Sequence, residues 1–271
     1  MKNLLLIFVP LLIFSSCNSS SETVVQPTDS LERLLRSIRD SIKNHPDDPR
    51  PKYNLVIVLE DAARYKEAVL VLDSMNINKS DTANLKTYFN YLLKRSELLV
   101  LAGDTVNAIK TLELFVTPGE ITEAGLQLAD LYAETKNPKT LSFCDALNKN
   151  DKDSHNPNPD YLKGVYYYNI DNYEKAMEQF NSCIRKDYTF LDAYMEKGRI
   201  LYKQKKYDTA IKVYDLALTV SNSFADAYLW KAKCEEALGQ RQEAKLNYQR
   251  AYALDKSLTE AKEAADKIKN E

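Results

Sequence analysis

The sequence predicts an all-α solenoid, a stack of antiparallel helix pairs, and the main reason is an internal period of 34 residues. Alanines recur at this spacing, each with an aromatic residue four positions later and a small residue twelve positions earlier. The three copies are Gly164, Ala176 and Phe180; Gly198, Ala210 and Tyr214; and Ala232, Ala244 and Tyr248. Small residues let two helices approach closely, and rings fill the space beside them. A fixed period of this length indicates helix pairs that bury their apolar faces against neighbouring pairs.

These copies resemble the tetratricopeptide repeat, a family built from pairs of antiparallel helices. The copy that matches best contains Tyr194, Gly198, Leu201, Tyr207, Ala210, Tyr214 and Ala217. The resemblance implies a right-handed superhelical solenoid. The chain departs from the family pattern where the closing proline is replaced by Tyr188, Asn222 and Lys256, and where the last copy has Glu235 and Arg241. Terminal repeats are often atypical because one of their faces meets water.

Residues 1–16 are predicted to be an export signal. Lys2 gives the segment a positive start, and an apolar run from Leu4 to Phe14 follows, broken only by Pro10. The run is too short to span a bilayer as a helix and is typical of a cleaved signal peptide.

Cys17 directly follows this signal, after Phe14, Ser15 and Ser16. The pattern is similar to the lipobox of bacterial lipoproteins, although that family usually has leucine where this chain has Phe14. The resemblance implies cleavage before Cys17, lipidation of its thiol and a membrane anchor. The alternative is a plain secretory signal with an incidental cysteine. Asn18 replaces the aspartate that favours inner-membrane retention in this family, so the resemblance implies the outer membrane, with the chain facing the periplasm.

Residues 17–28 are polar and are predicted to form a flexible tether. Residues 29–44 are predicted to be an amphipathic helix that caps the solenoid at its N-terminus. The apolar stripe of this helix consists of Leu31, Leu34, Leu35, Ile38 and Ile42.

Six helix pairs are predicted after the cap, at about residues 49–82, 89–122, 123–156, 157–190, 191–224 and 225–258. Ala68 and Ala108 occupy the position of Ala176, but 40 residues separate them, so about six extra residues are expected near Asn76–Asn84. The segment Asn148–Pro159 is rich in polar turn formers and is predicted to be a loop. Residues 259–270 begin like another first helix and then become highly charged, which predicts a C-terminal cap helix.

The composition excludes several classes of function. A formal net charge of -2 provides no basic field for a phosphate backbone, so no nucleic-acid partner is expected. The two histidines, His45 and His155, lie in predicted loops, and no metal-binding or catalytic motif accompanies them. Six glycines are too few for phosphate-cradling loops. We therefore expect no metal, no cofactor and no enzymatic activity.

Three further cysteines, Cys144, Cys183 and Cys234, lie in apolar helical contexts and are predicted to be small core residues. Cys183 occupies the position that Ala217 and Ala251 hold in the next two repeats. Export implies an oxidising compartment, so a disulfide between Cys144 and Cys183 is the alternative. An odd number of internal cysteines prevents complete pairing within the chain.

The first helix of each pair lines a concave groove in the tetratricopeptide family, and residues at its second, fifth, ninth and twelfth positions tend to contact partners. Carried onto this sequence, the resemblance implies a partner groove lined by Tyr161, Val165, Tyr168, Met195, Arg199, Tyr202, Leu229 and Lys233. Aromatic residues, methionine and arginine are enriched in binding interfaces. The alternative is that these residues form an ordinary amphipathic, solvated face.

The expected function is a protein-binding scaffold or adaptor, lipid-anchored at the bacterial cell envelope. One alternative is a structural subunit of a secretion, motility or outer-membrane-protein assembly machine, which a stable stoichiometric complex after mild solubilisation would favour. A second alternative is an adaptor or regulator of cell-wall hydrolases or proteases, which co-purified hydrolase activity would favour.

Overall fold

A computed structural model describes residues 27–75, 77, 85–120, 122–151 and 155–268. Within these ranges the chain forms fourteen α-helices and no strands, which confirms the predicted all-α solenoid of helix pairs. None of the helices in these ranges is both long and apolar enough to cross a membrane. The export signal at residues 1–16, the lipidation residue Cys17 and most of the segment Asn76–Asn84 lie outside the described residues.

The chain divides into two compact units, Met1–Phe115 and Val116–Glu271. The first unit contains α1 (Pro27–Asn44), α2 (Pro49–Asp61), α3 (Tyr65–Asp73), α4 (Leu85–Leu101) and α5 (Thr105–Glu113). The second unit contains α6 (Glu123–Glu134), α7 (Lys139–Asn150), α8 (Asn158–Asn169), α9 (Tyr173–Lys186), α10 (Leu191–Lys203), α11 (Tyr207–Val220), α12 (Ala225–Ala237), α13 (Arg241–Leu254) and α14 (Thr259–Lys267).

Some helix ends differ from the sequence-based bounds. The first helix begins at Pro27, so the last two residues of the predicted tether are helical. Proline is well suited to the first turn of a helix, where its missing N–H is not needed. Helix α4 begins at Leu85, four residues before the predicted repeat start, and α7 continues through Asn150 into the segment predicted to be a loop.

The small residues of the 34-residue period lie at the centre of each helix pair in the second unit. The three alanines that define the period, Ala176, Ala210 and Ala244, are completely buried. A methyl group at Gly198 would lie 2.3 Å from Cε1 of Tyr214, and one at Gly164 would lie 2.5 Å from Cε1 of Phe180. These distances are far below van der Waals contact, so the aromatic ring occupies the space that the missing side chain leaves.

A residue in the left-handed backbone region closes the turn within each helix pair. Two of these residues are glycines, Gly103 and Gly239, which adopt positive φ without steric cost. The other four turns place a residue with a side chain at the same point: Ala63, Lys136, Asp171 and Lys205. In two turns the next residue, Asp104 or Asn172, caps the second helix by accepting a backbone hydrogen bond through its side chain.

Long cationic side chains link successive helix pairs through what we call inter-repeat rungs. In each rung, a cation on a first helix donates a hydrogen bond to a side chain on the second helix of the preceding pair. The rungs are Arg95 to Asp73 at 2.8 Å, Lys163 to Asp145, Lys197 to Asn181 at 2.8 Å, and Lys231 to Asp215 at 2.6 Å. The acceptor Asn181 is neutral, and burial lowers the pKa of its partner, Lys197.

A buried ion pair joins α8 to α9. The ammonium of Lys186 lies 3.1 Å from Oδ2 of Asp160, whose side chain is 7% exposed. Asn148 and Ser182 donate further hydrogen bonds to this carboxylate at 3.0 and 2.7 Å. Burial by itself would raise the pKa of Asp160, but the hydrogen bonds from Ser182, Asn148 and Lys186 outweigh it and hold the pKa below its ordinary value.

The cysteines Cys144, Cys183 and Cys234 are free and buried, which agrees with the prediction of small core residues rather than with the alternative disulfide. Burial raises the pKa of each thiol to about 12. Thiols with so high a pKa contain little thiolate near neutral pH, so they are poor nucleophiles.

Candidate functional site

The first helices α10 and α12 bring three side chains together around Trp230, the only tryptophan in the sequence. The ring of Tyr202 packs edge-on against Trp230, with centroids 5.6 Å apart and an interplanar angle of 82°. The guanidinium of Arg199 lies 5.1 Å from the indole centroid, and the ammonium of Lys233 lies 4.7 Å from it. We call Arg199, Tyr202, Trp230 and Lys233 the Trp230 cluster.

Acidic side chains hold both cations of the Trp230 cluster in place. Glu196, one turn before Arg199, accepts a hydrogen bond from its guanidinium at 2.8 Å. Glu260 on α14 accepts one from Lys233 at 2.9 Å. Within the described part of the chain, Nε of Arg199 is buried and has no hydrogen-bond acceptor. The arginine is therefore oriented by one carboxylate and by the face of the indole, an arrangement that favours a fixed position.

A second group of rings lies beside the C-terminal end of α10. The ammonium of Lys203 lies 4.7 Å from the ring centroid of Tyr168 on α8 and 5.2 Å from that of Tyr173 on α9. It also donates a hydrogen bond to the Tyr173 hydroxyl at 3.1 Å, and this bond raises the pKa of Lys203. Three helices therefore meet at one cation. We call Tyr168, Tyr173 and Lys203 the Lys203 cluster.

Four of the eight predicted groove residues belong to these two clusters. Arg199, Tyr202 and Lys233 surround Trp230, and Tyr168 lies under Lys203. All four side chains are half-buried, so each one combines a packed stem or ring with some accessible surface. Contact between these four side chains and a partner stays a prediction.

Three of the other four predicted groove residues are buried and do not offer a contact surface. Val165, Met195 and Leu229 are buried, with exposures of 8%, 4% and 2%, and they pack in the hydrophobic cores between helices. Tyr161 is half-buried, and its ring lies 5.8 Å from that of Phe180 and 5.2 Å from that of Phe190. For Val165, Met195 and Leu229 the expectation of a half-exposed position is corrected, because these side chains point into the core. The place of Tyr161 in a partner groove stays a prediction.

Sequence reasoning missed Trp230 and Lys203. Trp230 follows Leu229 directly, and successive helix residues are rotated by about 100°, so Leu229 points into the core while Trp230 lies against Tyr202. The sequence signal that could have identified Trp230 is that it is the only tryptophan. The equivalent positions of the two preceding repeats have Glu196 and Leu162 instead of an aromatic residue.

The two clusters offer groups that are suited to non-covalent contacts. Half-buried rings offer apolar area, and the cations beside them can pair with acidic or carbonyl groups. Among the described residues, no three histidine, cysteine, aspartate or glutamate side chains are grouped so that they could hold a metal ion. The absence of enzymatic activity and of a cofactor stays a prediction.

Sequence comparison identifies repeats in the C-terminal part of the chain. A family model described as tetratricopeptide repeat matches residues 161–187 and 225–258, and a TPR repeat model matches residues 198–234. No curated protein matches the chain.

Solved structures share the fold. A tetratricopeptide repeat protein from Parabacteroides merdae is similar, with a TM-score of 0.60 and 18% sequence identity, over 89% of this chain and 93% of that one. A chain of the APC/C hetero-tetramer Cut9-Hcn1 is similar with a TM-score of 0.52 and 14% identity, over 91% of this chain and 47% of that one. The chain therefore contains tetratricopeptide repeats within residues 161–258, on the all-helical solenoid fold of solved tetratricopeptide repeat structures.

Proposed function

We propose that this chain is a protein-binding scaffold whose partner contacts the Trp230 cluster and the neighbouring Lys203 cluster. The observation that supports this most is the grouping of Tyr202, Trp230 and two cations on adjacent first helices. Tryptophan, tyrosine and arginine are the residues most often found at binding hot spots. Solenoids of helical repeats commonly present extended surfaces of this kind to other proteins.

The proposal is tested by alanine variants of Arg199 and Tyr202. Each truncation is expected to cost about 2 kcal/mol of binding free energy, or about thirtyfold in Kd, because hot-spot side chains supply most of an interface's energy. A partner is first captured from native membranes on the wild-type chain and identified by mass spectrometry. The purified partner is then titrated against each variant, with melting curves measured in parallel.

The matched controls are Lys212→Ala and Gln249→Ala, at exposed positions on the second helices α11 and α13. They are expected to leave the Kd within about twofold, because they lie away from both clusters. If these changes abolish binding and the cluster changes do not, the partner surface lies on the second helices.

We further propose that the chain is held at the bacterial outer membrane, facing the periplasm, by a lipid on Cys17. The support is the resemblance of Phe14–Cys17 to a lipobox and the polar segment that follows. A scaffold tethered in this way would gather its partners close to the membrane. Capture experiments also discriminate between a stable machine subunit, which would co-purify in fixed stoichiometry, and an adaptor of cell-wall hydrolases or proteases, which would bring hydrolytic activity with it.

Substituting Cys17 with serine is expected to abolish the anchor, because acyl chains supply the membrane affinity. The variant should appear in the soluble fraction or remain as uncleaved precursor, and it should not incorporate a labelled fatty acid. A wild-type chain that takes up no label, together with a Cys17→Ser variant that still fractionates with the outer membrane, would contradict the lipoprotein proposal.

A further inference from the structure

The helix pair α12–α13 buries two polar side chains where the preceding pair buries apolar ones. Glu235 on α12 is 5% exposed, and Asn247 on α13 is 4% exposed. The residues 34 positions earlier are Leu201 and Val213, each also 5% exposed. The last full repeat has thus exchanged a hydrophobic contact for a carboxylate and an amide, although the backbone positions are equivalent.

The amide group of Asn247 is the donor that the described residues place on Glu235. Both of its carboxylate oxygens accept from Nδ2 of Asn247, at 2.9 and 2.7 Å. A carboxylate has about four lone-pair sites, so one amide satisfies it only in part. Burying an ionised group with so few donors is costly, whereas burying the protonated form costs much less.

The charges that face Glu235 do not compensate for burial. Lys231 on the same helix favours ionisation, but its ammonium already donates to Asp215 on α11. A second cation, Arg250 on α13, contacts the pair only through Oδ1 of Asn247, at 3.5 Å. Asp215 and Glu243 on α13 disfavour a further negative charge. Burial is the main reason that the pKa of Glu235 is raised, against the opposing effects of Asn247 and Lys231.

Helix α12 connects this buried pair to the proposed binding surface. Glu235 lies five residues after Trp230 and two after Lys233 on one continuous helix. A helix rises about 1.5 Å per residue, so Glu235 lies about 7.5 Å along the helix axis from Trp230 and about 3 Å from Lys233.

We propose that Glu235 and Asn247 form a pH-sensitive latch: protonated Glu235 keeps α12 packed against α13, and ionisation of Glu235 loosens this packing and displaces the Trp230 cluster. Because the folded chain holds this proton more tightly than the unfolded chain, the stability of the pair is greatest below the ordinary glutamate value of 4.5 and falls as pH rises through the higher folded value. Weaker partner binding at the higher pH is a consequence that rests on the proposed function.

The single tryptophan provides a test that needs no partner. Trp230 emission and amide hydrogen exchange in α12 and α13 are measured on the full chain between pH 4 and 8. Wild type should show a transition with a midpoint above 4.5, with faster exchange on the alkaline side. Glu235→Gln keeps the shape and the hydrogen bond but cannot ionise, so it should show no transition.

Two further variants make the result specific. Glu243→Gln removes a neighbouring exposed carboxylate and should retain the transition. The double variant Glu235→Leu with Asn247→Val restores the apolar pair of the preceding repeat and should also lack it, even if Glu235→Gln folds poorly. The latch is overturned if wild type shows no transition in this range, or if either Glu235 variant keeps it.

Partner affinity then separates the latch from the proposed function. Affinity measured on both sides of the transition should be higher on the acidic side in wild type and equal on both sides in Glu235→Gln. A transition in Trp230 emission without any change in affinity would overturn the proposed regulation while leaving the binding surface intact. Binding that is insensitive to Arg199→Ala and Tyr202→Ala would instead contradict the proposed function.

Discussion

Replacing Asp160 with alanine is expected to lower the free energy of unfolding of the second unit by about 3–5 kcal/mol, because it leaves the ammonium of Lys186 buried without its counter-charge. The Lys186 side chain is only 19% exposed, so water cannot fully replace the lost carboxylate. The hydrogen bonds from Asn148 and Ser182 are lost at the same time. Chemical unfolding followed by circular dichroism, with hydrogen exchange in α7, α8 and α9, measures the effect.

The matched control is Asp29→Ala, which breaks the ion pair to Arg33 on α1. The Asp29 and Arg33 side chains are 54% and 66% exposed, and ion pairs between exposed partners contribute at most about 1 kcal/mol. The two variants therefore differ in burial rather than in chemistry. Equal losses of stability would show that the Asp160–Lys186 pair is no more important than a surface pair.

The Asp160 pair also predicts a dependence on acid. Because the folded pKa of Asp160 lies below its ordinary value of 3.8, the stabilising contribution is complete above pH 3.8 and is lost as pH falls through the folded value. The Asp160→Ala variant should lack this component, so the stability difference between wild type and variant should shrink at the lowest pH values.

Replacing Gly198 with leucine is expected to cost about 3 kcal/mol, at the upper end of what overpacking of a core usually costs. Even the first carbon of the new side chain would lie 2.3 Å from the Tyr214 ring, and Tyr214 is completely buried. The ring packs in the same core cluster as Met195 and Cys234, so moving it disturbs that core. Chemical unfolding compares the variant with wild type.

Thr209→Leu is the control for Gly198→Leu, since Thr209 is exposed on the facing helix α11 and the change should stay within about 0.5 kcal/mol. Gly198→Ala should fall between the two. The next repeat has Ala232 opposite Tyr248, so an adjusted ring position can accept one methyl group there. If leucine at position 198 is tolerated as well as leucine at 209, the close contact between these helices is not what stabilises the pair.

Much of the fold could be predicted because the residues that determine it act locally and repeat. Alanine and glycine allow close packing between helices, and glycine allows the positive φ of a turn. The spacing of these residues along the sequence therefore shows the repeat period directly. Helix ends were less accurate: α7 extends through Asn150 although asparagine and lysine there suggested a loop. Packing against the neighbouring helix outweighs such weak local preferences.

The site was harder to predict because it depends on rotation about a helix axis. Leu229 and Trp230 are adjacent, and only the structure shows which one faces the core. Glu235 stood out in the sequence as a departure from the repeat pattern, but its partner Asn247 is on another helix. A pairing of this kind cannot be read from a period alone.

The inter-repeat rungs bear on how such a chain can change its length during evolution. Each rung joins a helix pair to the pair before it, and the last two rungs recur at the repeat spacing: Lys231 lies 34 residues after Lys197, and Asp215 lies 34 residues after Asn181. Loss of residues 191–224 as one unit would bring Lys231 opposite Asn181, which already accepts a hydrogen bond from Lys197 in the same geometry. The repeat 191–224 can therefore be duplicated or deleted in one genetic event without leaving an ammonium group unpaired at the new contact between helix pairs. An insertion of a few residues within one of its helices would instead misalign the rungs on both sides.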